Sequence, residues 1–101
     1  MKLFEELLDN IEEEYEDAKK YIKMAIAYRE KCPNDSKLFA QLSGEELSHA
    51  DRQKRAVMDH LRMAEGHEHH EKMEIIWEHV HKRFSECEEH IKVLMDMYSR
   101  G

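Results

Sequence analysis

Apolar residues recur along most of this chain at the three-to-four-residue spacing of amphipathic α-helices. The spacing predicts three long helices, at about residues 2–31, 36–64 and 67–99. Pro33, which opens the loop-like sequence "PNDS", separates the first two helices, and one of the three residues after it is expected to cap the second. Gly66 in "MAEGHEHHEK" separates the second helix from the third. We therefore expect an all-α chain, a single domain of 101 residues in which long helices run antiparallel.

Each predicted helix has one apolar stripe, and charge interrupts the first two stripes at mid-length. The interruption is Glu14 in the first helix and Glu46 with His49 in the second. The third stripe has no charged residue, which shows what a purely structural stripe looks like in this chain. The first stripe is Phe4, Leu7, Ile11, Glu14, Ala18, Tyr21, Ala25 and Tyr28, widened on one side by Leu8, Tyr15 and Ile22. The second begins Phe39, Leu42, Glu46, His49 and Gln53, and the third is Met73, Trp77, Val80, Phe84, Cys87, Ile91, Leu94 and Tyr98.

An alternative interpretation gives Glu46 a structural role. Ser43 and Glu46 match the S-x-x-E capping box, which would start a new helix at Ser43 and use Glu46 only as a cap. Phe39 and Leu42 keep helical phase with the residues that follow, and an interior glycine such as Gly44 costs only about 1 kcal/mol. We therefore expect one continuous second helix.

The carboxylates in the first two stripes need a compensating positive charge. An ionised carboxylate removed from water is strongly destabilising unless it is paired, and neither stripe contains Lys or Arg. Glu46 and His49 lie three residues apart, on one face of a helix, so both can reach the same divalent cation. Carboxylates with one imidazole suit iron or manganese better than a structural zinc, for which thiolates are expected. Glu14, Glu46 and His49 are therefore the candidate metal ligands.

The E-x-x-H spacing alone is a weak signal, because a chain this rich in Glu and His contains roughly one such match by chance. This chain has two. Glu46 and His49 lie in an apolar stripe, whereas Glu78 and His81 flank the uninterrupted stripe of the third helix, where we expect them to be solvated.

The composition narrows the range of partners. A net charge of -7 and the lack of a basic cluster disfavour nucleic acid, whose phosphates need a positive surface, and favour cations. The sequence has neither an apolar signal segment nor an apolar run of about 18 residues, so we expect a cytoplasmic protein with no membrane segment. Cys32 and Cys87 fit that compartment as reduced thiols.

The sequence "EELSHADRQ" resembles the E-E-x-x-H-A signature on the second helix of ferritin-like proteins. Glu14, with Tyr21 seven residues later, is similar to the first helix of rubrerythrins and bacterioferritins, in which a tyrosine follows the metal-binding glutamate at that spacing. Glu14 and Glu46 are 32 residues apart, close to the separation in such helical hairpins. The likeness covers about residues 4–64.

The resemblance implies half of a di-iron site. A complete ferritin-like chain repeats the glutamate and the E-x-x-H on a second pair of helices, which this chain does not have. Two copies of Glu14, Glu46 and His49 supply four carboxylates and two imidazoles, so a two-fold homodimer would complete both a four-helix bundle and the site. This arrangement resembles the encapsulated ferritins, in which each subunit supplies half of a ferroxidase centre.

By the same resemblance, Glu46 bridges two metal ions, and Glu14 and His49 are terminal ligands. Tyr21 either takes part in catalysis or packs in the core. The implied activity is that of a ferroxidase, which oxidises Fe(II) to Fe(III) with O2; manganese is the alternative metal. The implied partners are further copies of the chain, in a homodimer or higher homo-oligomer, and an encapsulin-type shell, which would place the protein inside a protein compartment.

Two further interpretations stay open. In one, Glu14 hydrogen-bonds His49 in the metal-free polar seam of a non-catalytic oligomerisation module. In the other, the histidines of "HEHHEK" bind or buffer a metal, although a solvated, histidine-rich helix start is the simpler interpretation. These histidines are His67, His69 and His70.

Two polar residues, His60 and Gln53, lie in or beside the second stripe. His60 lies on the edge of the stripe and is expected to pack there without binding metal. Gln53, one turn beyond His49, could orient a metal ligand.

Overall fold

The computed structural model describes residues 2–101, which form three α-helices and no strand. The helices are α1 (Lys2–Ala27), α2 (Pro33–Met63) and α3 (His70–Arg100). The predicted all-α class and the predicted number of helices are confirmed. Within these residues, no helix is both long and apolar enough to cross a membrane.

The turn between α1 and α2 is placed differently from the prediction. α1 ends at Ala27 rather than near residue 31, and α2 begins at Pro33, after Cys32 at the N-cap position. Proline suits the first helical position, since its φ is already helical and the N–H that it lacks would be unpaired there. The prediction that a residue after Pro33 caps α2 is wrong, because all three candidates lie within its first turn.

α2 is continuous from end to end, so the capping-box interpretation of Ser43 is wrong. The chain reverses after α2 at Gly66, as predicted, and this glycine has a φ of 80° that other residues rarely adopt. α3 begins at His70, three residues later than expected, which leaves His67 and His69 in the turn.

α1 and α2 form an antiparallel hairpin held in register by two hydrogen bonds between the helices. The Ser36 hydroxyl donates to the Ala25 carbonyl oxygen at 2.5 Å, and the Ser43 hydroxyl donates to the Ala18 carbonyl oxygen at 2.6 Å. A serine hydroxyl reaches the backbone of a neighbouring helix only where small side chains let the two helices approach closely. Alanine and serine at these positions provide that approach.

The core of the hairpin lies to one side of the predicted stripes. The buried residues are Phe4, Leu8, Ile11, Tyr15, Ala18, Ile22 and Ala25 on α1, and Ser36, Ser43, Ala50, Val57 and Leu61 on α2. The predicted stripe positions Leu7, Glu14, Tyr21, Phe39, Leu42, Glu46 and Gln53 are only half-buried, and Tyr28 and His49 are exposed. The first half of the second stripe therefore lies on one flank of the hairpin and not in its core, whereas Val57 and Leu61, farther along α2, are buried.

α3 packs on the other side of the hairpin, mainly against α1, and runs antiparallel to α2. Its buried residues are Met73, Trp77, Phe84 and Ile91, while Val80, Leu94 and Tyr98 are half-buried. The Phe84 ring lies 5.6 Å from that of Tyr15 on α1, and Lys54 Nζ lies 3.4 Å from Glu88 Oε2. Cys87 is exposed, so its predicted place in the third stripe is wrong.

Candidate metal centre

Glu14 of α1 and Glu46 and His49 of α2 converge on the flank of the hairpin opposite α3. His49 Nδ1 lies 3.2 Å from Glu14 Oε2 and 3.8 Å from Glu46 Oε1. One donor atom from each of the three side chains lies within 4.8 Å of the other two. Within the described part of the chain, this is the only such group of three or more His, Cys, Asp or Glu side chains. The structure thus brings the three predicted metal ligands together, and we refer to them as the flank cluster.

The local fold accounts for this convergence. The hydrogen bond from Ser43 to Ala18 sets the register of the two helices. That register places Glu14, one turn before Ala18, opposite the turn of α2 that follows Ser43. The side chains of Glu46 and His49 then lie on one face of that turn, because they are three residues apart.

The distances within the flank cluster suit a first-row metal ion. Carboxylate and imidazole donors bind such ions at about 2.0–2.2 Å, so neighbouring donors in one coordination sphere lie about 3.0–3.4 Å apart. The two separations from His49 Nδ1, 3.2 and 3.8 Å, require at most a small side-chain adjustment. Two carboxylates and one imidazole form an oxygen-rich donor set, which favours iron or manganese over a structural zinc.

The two carboxylates are largely shielded from solvent and have no basic partner. The side chains of Glu14 and Glu46 are 20% and 18% exposed, while that of His49 is 46% exposed. Among residues 2–101, the only ion-pair partner of either glutamate is His49. Two acidic groups therefore lie side by side without a lysine or arginine to neutralise them.

This proximity changes the protonation of Glu46. A hydrogen bond with Glu14 is the main cause that raises the pKa of Glu46 to about 7. Burial and the negative charges of Glu14 and Asp17 act in the same direction, while His49 opposes them. Two adjacent carboxylates share a proton because both cannot ionise without strong repulsion. A cation that binds to this pair would therefore displace a proton.

Glu46→Gln should reduce the pH dependence of the stability of the metal-free protein. A carboxyl group with a raised pKa binds more protons in the folded state than in the unfolded state. It therefore stabilises the fold below its ordinary pKa of 4.5, and this contribution is lost as the pH rises through about 7. Unfolding by urea in the presence of a chelator, at about pH 5 and about pH 8, measures the difference.

The wild type should lose more stability over this pH range than Glu46→Gln does, because glutamine keeps a neutral hydrogen-bonding group at every pH. Glu45→Gln changes an exposed neighbouring carboxylate and is the matched control, which should follow the wild type. The same pH dependence in wild type and Glu46→Gln would show that Glu46 is not perturbed in this way.

Tyr21, the remaining predicted site residue, is on the same flank but outside the flank cluster. It lies two helical turns from Glu14, about 10 Å along α1. Its half-buried ring stacks on that of Phe39, with 6.2 Å between the ring centroids and 9° between the planes. The geometry identifies a packing role for Tyr21, and its catalytic role stays a prediction.

Gln53 and the second E-x-x-H match lie outside the flank cluster. Gln53 Oε1 is buried and has no hydrogen-bond partner among the described residues, and the role of Gln53 in orienting a ligand stays a prediction. Glu78 and His81, the second E-x-x-H match, are exposed, as expected.

Two features of the site were not predicted from the sequence. Asp17, one turn after Glu14, adds negative charge that acts on Glu46, and the three-residue spacing from Glu14 could have revealed it. Ser43 positions the flank cluster by its bond to α1, and the seven-residue repeat of Ser36, Ser43 and Ala50 was the available signal.

Comparison with protein-family models, with curated proteins and with solved structures gives no match for this chain.

Proposed function

We propose that the chain is an iron-binding ferroxidase that oxidises Fe(II) to Fe(III) with O2 at a di-iron site shared between two subunits. The observation that carries this proposal is the flank cluster itself. Two shielded glutamates without a basic partner lie next to a histidine, with donor atoms of all three within 4.8 Å of one another. A bound cation would neutralise the two carboxylates and would use all three donors.

The position of the flank cluster supports a shared site. α3 covers the opposite side of the hairpin, so within one chain no helix lies over the cluster. Half-buried apolar and aromatic side chains of the same two stripes, including Tyr21, Phe39 and Leu42, lie along this flank. A second hairpin placed here by a two-fold axis would bury these side chains and complete a four-helix bundle. It would also raise the donor set to four carboxylates and two imidazoles.

In this proposal, Fe(II) is the substrate: two ions give one electron each to O2, which takes up two protons and leaves as hydrogen peroxide. The protein supplies a cradle of negative charge, which stabilises Fe(III) more than Fe(II). Glu14 and Glu46 provide that charge, His49 adds an imidazole nitrogen, and Glu46 releases its proton when an ion binds. The same proposal locates the protein in the cytoplasm, either free or inside an encapsulin-type shell.

An anaerobic crystal soaked in Fe(II), with anomalous scattering measured at the iron edge, tests the proposed site. We expect two iron ions beside a two-fold axis, each about 2.0–2.2 Å from its protein donors. The donors should be Glu14, Glu46 and His49 of both subunits. A parallel soak in Mn(II) compares the two candidate metals. Crystals without iron at the flank cluster, or with iron held by a single subunit, would contradict the proposal.

The contact between Glu14 and His49 favours a second candidate function, a non-catalytic helical oligomerisation module. The two side chains are already 3.2 Å apart, and protonated Glu46 can hydrogen-bond to Glu14, so the polar groups have partners without a metal. Polar groups in such a seam specify the register and number of associating helices.

The melting temperature of tag-free, chelator-treated protein distinguishes the two functions. A ligand that binds only the folded state raises the melting temperature. Fe(II), added anaerobically, or Mn(II) should therefore raise it for a metal enzyme and leave it unchanged for a metal-free module.

A further inference from the structure

A second set of metal donors lines a pocket at the turn between α2 and α3, far from the flank cluster. The pocket has a volume of about 440 Å³. Its lining contains three imidazoles, two thioethers and one carboxylate, and no lysine or arginine. The lining residues are His60, Met63, Ala64, His67, Glu68, His69 and Met73.

The geometry of the turn brings these side chains to one place. Gly66, with its φ of 80°, turns the chain back over the end of α2. The His67 N–H donates to the Ala64 carbonyl at 2.9 Å, and this bond holds His67 beside the last turn of α2, where His60 lies. The Met73 N–H donates to the His69 carbonyl at 3.0 Å, which ties His69 to the first turn of α3.

His70 belongs to a different environment. Its Nε2 lies 3.1 Å from Glu74 Oε1, and its side chain lines a separate pocket beside Leu61 and Trp77. The three histidines of "HEHHEK" therefore do not act as one set. His60 of α2, which lies outside this motif, lines the pocket together with His67 and His69, whereas His70 does not.

The donors of this pocket select a different class of metal from the flank cluster. Thioether sulfur binds soft ions such as Cu(I) and has little affinity for Mn(II) or Mg(II), while imidazole binds copper well. We propose that this pocket binds one Cu(I) ion through the imidazoles of His60, His67 and His69 and the thioether of Met63. Met73 is largely buried and forms the wall of the pocket.

The side chains reach the ion by rotation. The ring nitrogens of the three histidines do not all lie within 4.8 Å of one another, in contrast to the donor atoms of the flank cluster. His67 and His69 are exposed, and Met63 is 73% exposed, so no packed core restricts their rotamers. His60 precedes Met63 by three residues on α2, which places both donors on one face.

The pocket is independent of the proposed ferroxidase site. His60 follows His49 by three turns of α2, about 16 Å along the helix axis. The pocket and the flank cluster have no residue in common. Binding of Cu(I) to this pocket can therefore be established or refuted whatever the flank cluster does.

Titration of the tag-free full chain with Cu(I), in competition with a chromophoric Cu(I) chelator, tests the proposal. We expect one tightly bound ion per chain. His67→Ala and His69→Ala should each weaken binding at least about tenfold, since even loss of an outer partner of a metal ligand typically has that effect. His79→Ala removes an exposed histidine elsewhere on α3 and, like His70→Ala, should leave the affinity unchanged.

A comparison of Cu(I) with Zn(II) tests the role of the Met63 thioether. Met63→Leu conserves the side-chain volume and should weaken Cu(I) binding while leaving Zn(II) binding unchanged. Glu46→Ala should bind Cu(I) as the wild type does, which separates this pocket from the flank cluster. An unchanged Cu(I) affinity in a His67→Ala/His69→Ala double variant would overturn the proposal, as would a loss in His79→Ala as large as in His67→Ala. No effect of Met63→Leu, or equal losses for both ions, would overturn the assignment to copper.

Discussion

Fe(II) added anaerobically to the wild-type protein should be oxidised rapidly on exposure to air, and Glu46→Ala should slow that oxidation at least about 100-fold. In the proposed site, Glu46 and Glu14 together would supply the negative charge that stabilises Fe(III). Glu46 contacts both other members of the flank cluster. Because the proposed site is shared, one substitution removes two carboxylates from each dimer. His49→Ala should have a similar effect, since it removes both imidazoles. The appearance of Fe(III), followed by its near-ultraviolet absorbance, measures the rate.

Two control variants distinguish loss of the site from loss of charge. Glu45→Ala removes an exposed carboxylate beside Glu46, and Glu78→Ala removes the glutamate of the other E-x-x-H match. Both should oxidise Fe(II) at the wild-type rate, with unchanged helical content by circular dichroism. Oxidation at the wild-type rate in both Glu46→Ala and His49→Ala would rule out the flank cluster as a ferroxidase site.

Phe84→Ala should lower the free energy of unfolding by about 3–5 kcal/mol, the usual cost of removing a buried phenylalanine side chain. Phe84 is 1% exposed, and its ring lies 5.6 Å from that of Tyr15 and 6.3 Å from that of Trp77. It is the largest fully buried side chain by which α3 packs on the hairpin. Its loss leaves a cavity that the long, stiff helices cannot close by small movements.

Urea unfolding, followed by circular dichroism and by the fluorescence of Trp77, measures this loss. Val93→Ala is the control on the same helix, because Val93 is 57% exposed and its truncation should cost less than about 0.5 kcal/mol. Similar losses in the two variants would mean that α3 is not anchored at Phe84. The flank cluster lies on the opposite side of the hairpin, so folded Phe84→Ala protein should retain the geometry of that cluster.

The helices and the candidate ligands could be predicted from the sequence because both depend on interactions within short segments. Apolar spacing and the scarcity of glycine and proline act within each segment, so three helices and their approximate limits follow without knowledge of their packing. Glu46 and His49 share a face because three residues separate them in a helix, whatever surrounds that helix. Glu14 stood out because a carboxylate in an apolar stripe lacks an evident partner.

The rotation of each helix about its own axis could not be predicted in this way. The apolar pattern of α2 marks Phe39 and Leu42, but the helix turns its small residues, Ser43 and Ala50, toward α1. Close approach of two backbones and a hydrogen bond to the Ala18 carbonyl stabilise that arrangement. A hydrophobicity pattern does not record either contribution, since serine counts as polar. This rotation places Phe39 and Leu42 on the flank.

The sequence by itself determined the helical class, the approximate helix limits and the pairing of Glu46 with His49, since these depend on neighbours within one or two turns. Only the tertiary structure decided that Glu14 meets them, that Cys87 is exposed, and that His60 lies beside His67 while His70 pairs with Glu74. Each of these depends on how one helix is rotated and shifted against another. Contacts between segments set that geometry, and small residues at the interface decide it by allowing close approach.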